Sequence, residues 1–160
     1  MKEKITVGVI GGAGYTGGEA IRLLMNHPYA ELKFVHSRSN AGNLLSDVHA
    51  DLTGDTTLTF TDSIQPVDVI FLCLGHGESK KFLQENGIAD SIKVIDLSHD
   101  FRLGDSVNNR EFVYGLPELN KESIKKASNI ANPGCFATAI ELGLLPLAKL
   151  GLLNDVYTTG

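Results

Sequence analysis

The run Gly11-Gly12-Ala13-Gly14-Tyr15-Thr16-Gly17 has the composition and spacing that say most about chemistry. It satisfies G-x-G-x-x-G from Gly12 and G-x-x-G-x-x-G from Gly11. Glycine reaches positive φ and lets the backbone come close to a ligand, and the free N–H groups of a helix start point at an anion. The pattern carries weight only between a strand and a helix. Ile5–Ile10 before it is apolar and strand-like. Tyr15–Asn26 after it places Ala20, Ile21, Leu24 and Met25 at helical spacing, and Pro28 stops that helix. The segment reads as a cradle for a dinucleotide pyrophosphate, with Gly12, Ala13, Gly14, Tyr15, Thr16 and Gly17 as its contacts. The plainer alternative is a tight turn without a ligand.

The end of the second strand discriminates between nucleotides. An NAD site places a carboxylate there for the ribose 2′-OH. Here Leu32–His36 runs into Ser37-Arg38-Ser39, an arginine between two hydroxyls with no acidic residue. Guanidinium and hydroxyl donors match a 2′-phosphate, so NADP(H) is expected. The alternative is a solvated loop arginine.

The second chemical cluster is Asn132-Pro133-Gly134-Cys135, between a short strand and a long helix. A cysteine in a first helical turn faces unpaired N–H groups and the positive end of the helix dipole, which favour a thiolate nucleophile. Taken alone, Cys135 is equally well a packed small hydrophobe. Cys73, inside Ile70-Phe71-Leu72-Cys73-Leu74, reads as buried. Two cysteines exclude a disulfide framework and fit a reducing cytoplasm. The five histidines, His27, His36, His49, His76 and His99, show no metal-ligand spacing, and no metal is expected. His76, in Gly75-His76-Gly77 past the fourth strand, is placed near the cofactor cleft, whereas His49 has only a polar loop around it. None is a convincing general base for Cys135.

These clusters need a scaffold. Short apolar runs alternate with helical periodicity, which predicts an α/β fold: a Rossmann-type doubly wound, mainly parallel sheet with helices on both faces. Further strands are expected at Leu58–Phe60, Val67–Leu74, Lys93–Leu97, Asn129–Ala131 and Asp155–Thr158. Ser79–Asn86 is expected as a helix closed by Gly87. Asp100–Leu119 reads as loop, Asn120 as the cap of a helix over Lys121–Ala127, and Pro146 as a kink in the helix opened by Gly134. A formal charge of −5 argues against nonspecific nucleic-acid binding, and the longest apolar runs are too short to span a bilayer.

Along nearly its whole length the chain resembles N-acetyl-γ-glutamyl-phosphate reductases. The resemblance is carried by the glycine turn through Glu19, by Ser37-Arg38-Ser39 with Ala41-Gly42, and by Ile95-Asp96-Leu97-Ser98 with Asp100-Phe101-Arg102-Leu103. Tyr114-Gly115-Leu116-Pro117-Glu118-Leu119 and Asn132-Pro133-Gly134-Cys135 complete it. Gly75 stands where a proline is common, His99 where a small residue is common, and Phe136-Ala137 where Tyr-Pro is usual.

The resemblance implies NADPH-dependent reduction of an acyl phosphate to an aldehyde, with Cys135 as catalytic thiol. It adds Leu74, Gly75 and Ser98 to the cofactor-binding residues. It makes Arg102 a candidate anchor for the substrate phosphate, the alternative being an ion pair with Asp100 or Asp105. It also implies a small-molecule substrate, a cytoplasmic homo-oligomer, and a longer protein. Residues 1–150 are then the NADP-binding domain and 151–160 the beginning of a second α+β domain for substrate and subunit contacts. The acid/base histidine is expected beyond Gly160, which leaves the 160-residue chain inactive by itself. Two rival readings are an aspartate-semialdehyde dehydrogenase-like enzyme and a non-catalytic NADP-binding module.

Overall fold

The computed structural model describes residues 4–159. Strand β1 (Ile5–Ile10) leads through the glycine turn into α1 (Tyr15–Met25), and β2 (Ala30–His36) returns beside β1. A polar excursion follows, containing the short helix α2 (Leu45–Val48), before β3 (Phe60–Thr61). Then come β4 (Val69–Leu72), α3 (Glu78–Glu85) and β5 (Lys93–Asp96). The chain continues through β6 (Ser106–Val107), β7 (Arg110–Glu111), β8 (Val113–Tyr114), α4 (Pro117–Lys126), β9 (Asn129–Ala131) and α5 (Cys135–Lys149).

Seven strands form one sheet in the order β3-β2-β1-β4-β5-β9-β8, and every pairing in it is parallel. Sequence-adjacent residues feed opposite faces, as a period of two requires. Val9, Val35 and Cys73 pack with Ala20 and Ile21 of α1 on one face. Ile10, Phe34 and Leu72 pack with Phe82 and Leu83 of α3 on the other. The chain moves outward from β1 in both directions, so the carboxyl ends of β1 and β4 diverge and leave a crevice. Ligands of such sheets bind there.

Four local expectations are corrected. Asp100–Leu119 is more than loop. It holds the β6–β7 hairpin, whose two-residue turn uses Asn108 and Asn109 at φ 49° and 62°, and it holds the sheet strand β8. Paired positive φ is the turn whose twist matches a hairpin, and asparagine tolerates it. Second, α4 begins at Pro117 rather than after Asn120. Asn120 is the irregular residue inside it, at φ −122° and ψ 21°, and its amide donates to the Tyr114 carbonyl instead of capping a helix. Third, α5 runs through Pro146 as one helix. Leu142, whose carbonyl loses its helical donor to the proline, is exposed to solvent that can replace it. Fourth, Asp155–Thr158 is not a strand, because no strand among the described residues pairs with it.

Candidate active site

The glycine turn divides its work among its residues. Gly11 sits at φ +78°, and a side chain there would meet the Cys73 carbonyl at 2.5 Å. A Cβ on Gly12 would collide with Val35. One on Gly17 would stand 2.5 Å from the Gly11 carbonyl and 2.7 Å from the Gly12 Cα, so Gly17 allows α1 to lie on the turn. Gly14 differs: a Cβ there meets only the Gly11 carbonyl, at 3.4 Å. The space over Gly14 is open.

The first backbone bond of α1 runs from Gly18 N–H to the Gly14 carbonyl. The N–H groups of Tyr15, Thr16 and Gly17 have no acceptor among the described residues. A helix mouth with free donors, a close-approach glycine and two glycines needed for packing fits a dinucleotide pyrophosphate.

Beside the turn lies a cleft of about 350 Å³ lined by Gly11, Ser37, Arg38, Ser39 and Leu74, and by Lys81 of α3. Ser37, Arg38, Ser39 and Leu74 are contacts expected from the sequence, whereas Gly12 to Gly17 lie outside this lining and Gly11 and Lys81 were not among the expected contacts. Lys81 lies 43 residues after Arg38 and reaches the cleft on α3, whose Phe82 ring packs on His36 at the end of β2. Arg38 and Ser39 are exposed, and Arg38 forms no ion pair with the described residues. Asn40 donates to Ser37 Oγ and Ser39 Oγ, both at 3.1 Å, and so fixes the two hydroxyls. Burial and the Arg38 charge hold the neighbouring His36 below the usual imidazole range, which keeps a second positive charge out of the strand end.

Gly75 and Ser98 lie outside this cleft's lining. Ser98 is buried, its hydroxyl donating to Asp96 Oδ2 at 2.7 Å and accepting the Asp100 N–H at 3.1 Å. Asp100 caps the start of α3, accepting the N–H groups of Gly77 at 2.7 Å and Lys80 at 3.0 Å. Against the desolvation of burial, these two hydrogen bonds, together with His99 and the Ser98 hydroxyl, hold its carboxyl below the usual carboxylate range. His76 packs on His99, ring centroids 4.3 Å apart, above Asp100.

Cys135 is the first residue of α5 and is exposed, with Gly134 as the N-cap. It opens on a cleft of about 520 Å³ shared with Gly115, Asn132, Pro133 and Thr138. No histidine lines this cleft among the described residues. Arg102 approaches from the loop after β5, and a Cβ on Gly134 would stand 2.8 Å from its Nη1. Nε donates to the Asn132 carbonyl at 2.9 Å and Nη2 to the Leu97 carbonyl at 3.0 Å. The ion pair of Arg102 with Asp100 or Asp105 is absent; Asp105 pairs with Lys80 instead, at 3.9 Å. The guanidinium is pinned by backbone carbonyls against Gly134, the residue before the cysteine, and forms no ion pair with the described residues. Cys73 is buried, and desolvation together with Asp96 pushes its thiol up to about 12.

This is a nucleotide-binding parallel α/β domain that carries an exposed cysteine at a helix mouth. Residues 6–127 match the family described as semialdehyde dehydrogenase, NAD binding domain, and the chain belongs to that family. It is 58% identical over 152 residues to an N-acetyl-gamma-glutamyl-phosphate reductase of Christiangramia forsetii, covering 94% of this chain and 47% of the relative. It is 58% identical over 163 residues to the enzyme of the same name in Flavobacterium johnsoniae, covering 98% and 50%. The chain thus spans about half the length of the curated relatives it matches. Among solved structures, an aspartate semialdehyde dehydrogenase with NADP from Candida albicans superposes with a TM-score of 0.69 at 17% identity, over 96% of this chain and 49% of that one. At that identity the likeness concerns the fold.

Proposed function

We propose that this chain is the nucleotide-binding and cysteine-bearing part of an NADPH-dependent N-acetyl-γ-glutamyl-phosphate reductase, an enzyme of arginine biosynthesis. The observation that carries the reading is the placement of exposed Cys135 at the mouth of α5, beside the pinned charge of Arg102 and on the sheet that bears the glycine turn. The relatives' names supply the substrate.

The Cys135 sulfur attacks the acyl carbon of the acyl phosphate. The C–S bond forms, the bond to the phosphate oxygen breaks, and phosphate leaves a thioester on the chain. The Arg102 guanidinium faces the departing dianion and favours its departure. The open space over Gly14 and the Ser37-Arg38-Ser39 end of the cleft would hold NADPH, which would supply the hydride for reduction of the thioester carbon. Collapse of the resulting thiohemiacetal releases the semialdehyde and restores the Cys135 sulfur. An acyl phosphate is activated enough to acylate a thiol, whereas a free carboxylate is not.

The test uses the enzyme at the length of its relatives, with NADPH oxidation followed on N-acetyl-γ-glutamyl phosphate and on aspartyl phosphate. Turnover on the first and its loss in Cys135→Ser are expected, with nucleotide binding retained. Preference for aspartyl phosphate would replace this reading with that of a sister enzyme. Arg38→Ala is expected to weaken NADP(H) by about 1.5–3 kcal/mol and leave NAD(H) unchanged in calorimetric titration. Equal affinity of the wild type for both nucleotides would remove the 2′-phosphate assignment. The 160-residue chain alone is expected to bind NADP(H) without steady-state reduction, since no histidine lines the Cys135 cleft among the described residues. Turnover by that chain would place the acid/base within it.

A further inference from the structure

His49 falls in the polar excursion between β2 and β3, at the junction of α2 and the turn Ala50–Leu52. It is nevertheless buried, and its Nε2 lies 2.7 Å from the carbonyl oxygen of Gly12, 37 residues earlier. A carbonyl oxygen can only accept, so Nε2 carries the hydrogen and donates. Three features hold the ring in place. It packs on Phe60, with centroids 6.3 Å apart. It lies on α1 at Gly18, where a Cβ would meet its Cε1 at 2.6 Å and Nδ1 at 2.8 Å. And Arg22 of α1 grips Asp51, two residues after His49, through Nε at 2.6 Å and Nη2 at 2.7 Å. Gly18, outside the glycine pattern proper, is thereby explained: a side chain there would evict the histidine.

The consequence follows from peptide geometry. The Gly12–Ala13 peptide is trans, so its C=O and N–H point in opposite directions within one plane. With the Gly12 oxygen tied to the buried His49, the Ala13 N–H is turned away from that ring. That N–H has no acceptor among the described residues, and Ala13 is only half-buried.

We infer that His49 is a positioning residue of the nucleotide cradle: by holding the Gly12 carbonyl it aims the Ala13 N–H at the dinucleotide pyrophosphate. This rests on the nucleotide reading above. It adds a residue remote in sequence, acting through the backbone of the turn.

The experiment titrates the chain with NADP⁺ and, separately, with adenosine 2′-monophosphate, which fills the Arg38 end but has no pyrophosphate. His49→Phe keeps an aromatic ring against Phe60 and Gly18 and removes the donor. It is expected to bind NADP⁺ about tenfold more weakly, the ordinary size of one lost hydrogen bond, with adenosine 2′-monophosphate unchanged. His49→Gln, whose amide nitrogen stands close to the place of Nε2, is expected to recover most of the loss.

Equal loss of both ligands in His49→Phe would make the histidine a structural residue only and overturn the inference, as would wild-type affinity for both. If His49→Phe does not fold, ¹H–¹⁵N spectra of the wild type decide. The Ala13 amide is expected to shift with NADP⁺ and to stay in place with adenosine 2′-monophosphate; an amide unmoved by NADP⁺ overturns the inference. A wild type that binds neither ligand removes the nucleotide reading itself, whereas binding with an indifferent His49 removes this inference alone.

Discussion

At the scale of single residues, the two cysteines show how position decides reactivity. Both are thiols in a small apolar neighbourhood of sequence. Cys73 continues β4 into the interior, where burial and the nearby Asp96 raise its thiol to about 12. At neutral pH it is protonated and out of reach. Cys135 is exposed at a helix start, next to a guanidinium whose hydrogen bonds go to carbonyl oxygens rather than carboxylates. Iodoacetamide at near-neutral pH is therefore expected to label Cys135, with Cys73 labelled only after denaturation. Peptide mapping checks this, and label chiefly on Cys73 in the folded chain would defeat the assignment. The family resemblance makes Arg102 a candidate anchor for the substrate phosphate. Its partners are not legible in the sequence, because the Leu97 and Asn132 carbonyls become neighbours only when β5 and β9 pair side by side.

At the scale of elements, the strand-turn-helix unit at β1 and α1 separates binding from folding. Gly14 has an extended backbone, φ −77° and ψ 168°, that any residue adopts, and open space above it. Gly14→Val is expected to fold with stability within about 0.5 kcal/mol of wild type, the range for surface changes, while its methyl groups fill the cradle and abolish NADP(H) binding. Gly17→Ala should do the reverse in kind. Its Cβ meets backbone atoms of Gly11 and Gly12, which cannot swing aside as a side chain would. A destabilisation of about 1–3 kcal/mol is expected, the range for overpacking. Denaturant unfolding with parallel calorimetry reads both variants. A Gly14→Val chain that binds normally would mean the cradle lies elsewhere, and an undisturbed Gly17→Ala would remove the packing role. The excursion between β2 and β3 belongs to this unit as well, although its polar sequence reads as a surface loop. Its partner, the Gly12 carbonyl, has no side-chain signature.

At the scale of the whole molecule, the sheet carries one buried carboxyl that the ligand sites do not use. Asp96 ends β5 in full burial, with Oδ2 bonded to Ser98 and Oδ1 unpartnered. Burial pushes it above the usual carboxylate range, against the pull of the Ser98 hydroxyl. A raised folded value means that its stabilising share is fully present below the ordinary carboxylate range and is lost as pH rises through that raised value. Asp96→Asn cannot ionise, keeps the acceptor for Ser98, and turns its amide toward Ser79 Oγ, which also lacks a partner. The variant is expected to be more stable than wild type at about pH 8, with the difference shrinking towards about pH 4. Urea unfolding at both values tests this; a difference independent of pH would show that Asp96 does not titrate in the core.

Across the same scale, local pattern determined the parallel α/β class, the glycine cradle, the arginine between two serines and the cysteine at a helix mouth. Each depends on residues within a few positions of one another, where backbone conformation and periodicity act directly. Tertiary structure alone decided what joins them: Lys81 in the cleft of Arg38, His49 under Gly12, Arg102 against Gly134, and the refusal of Asp155–Thr158 to form a strand. These rest on pairings between segments distant in sequence, and a strand or a hydrogen bond has no identity until its partner arrives.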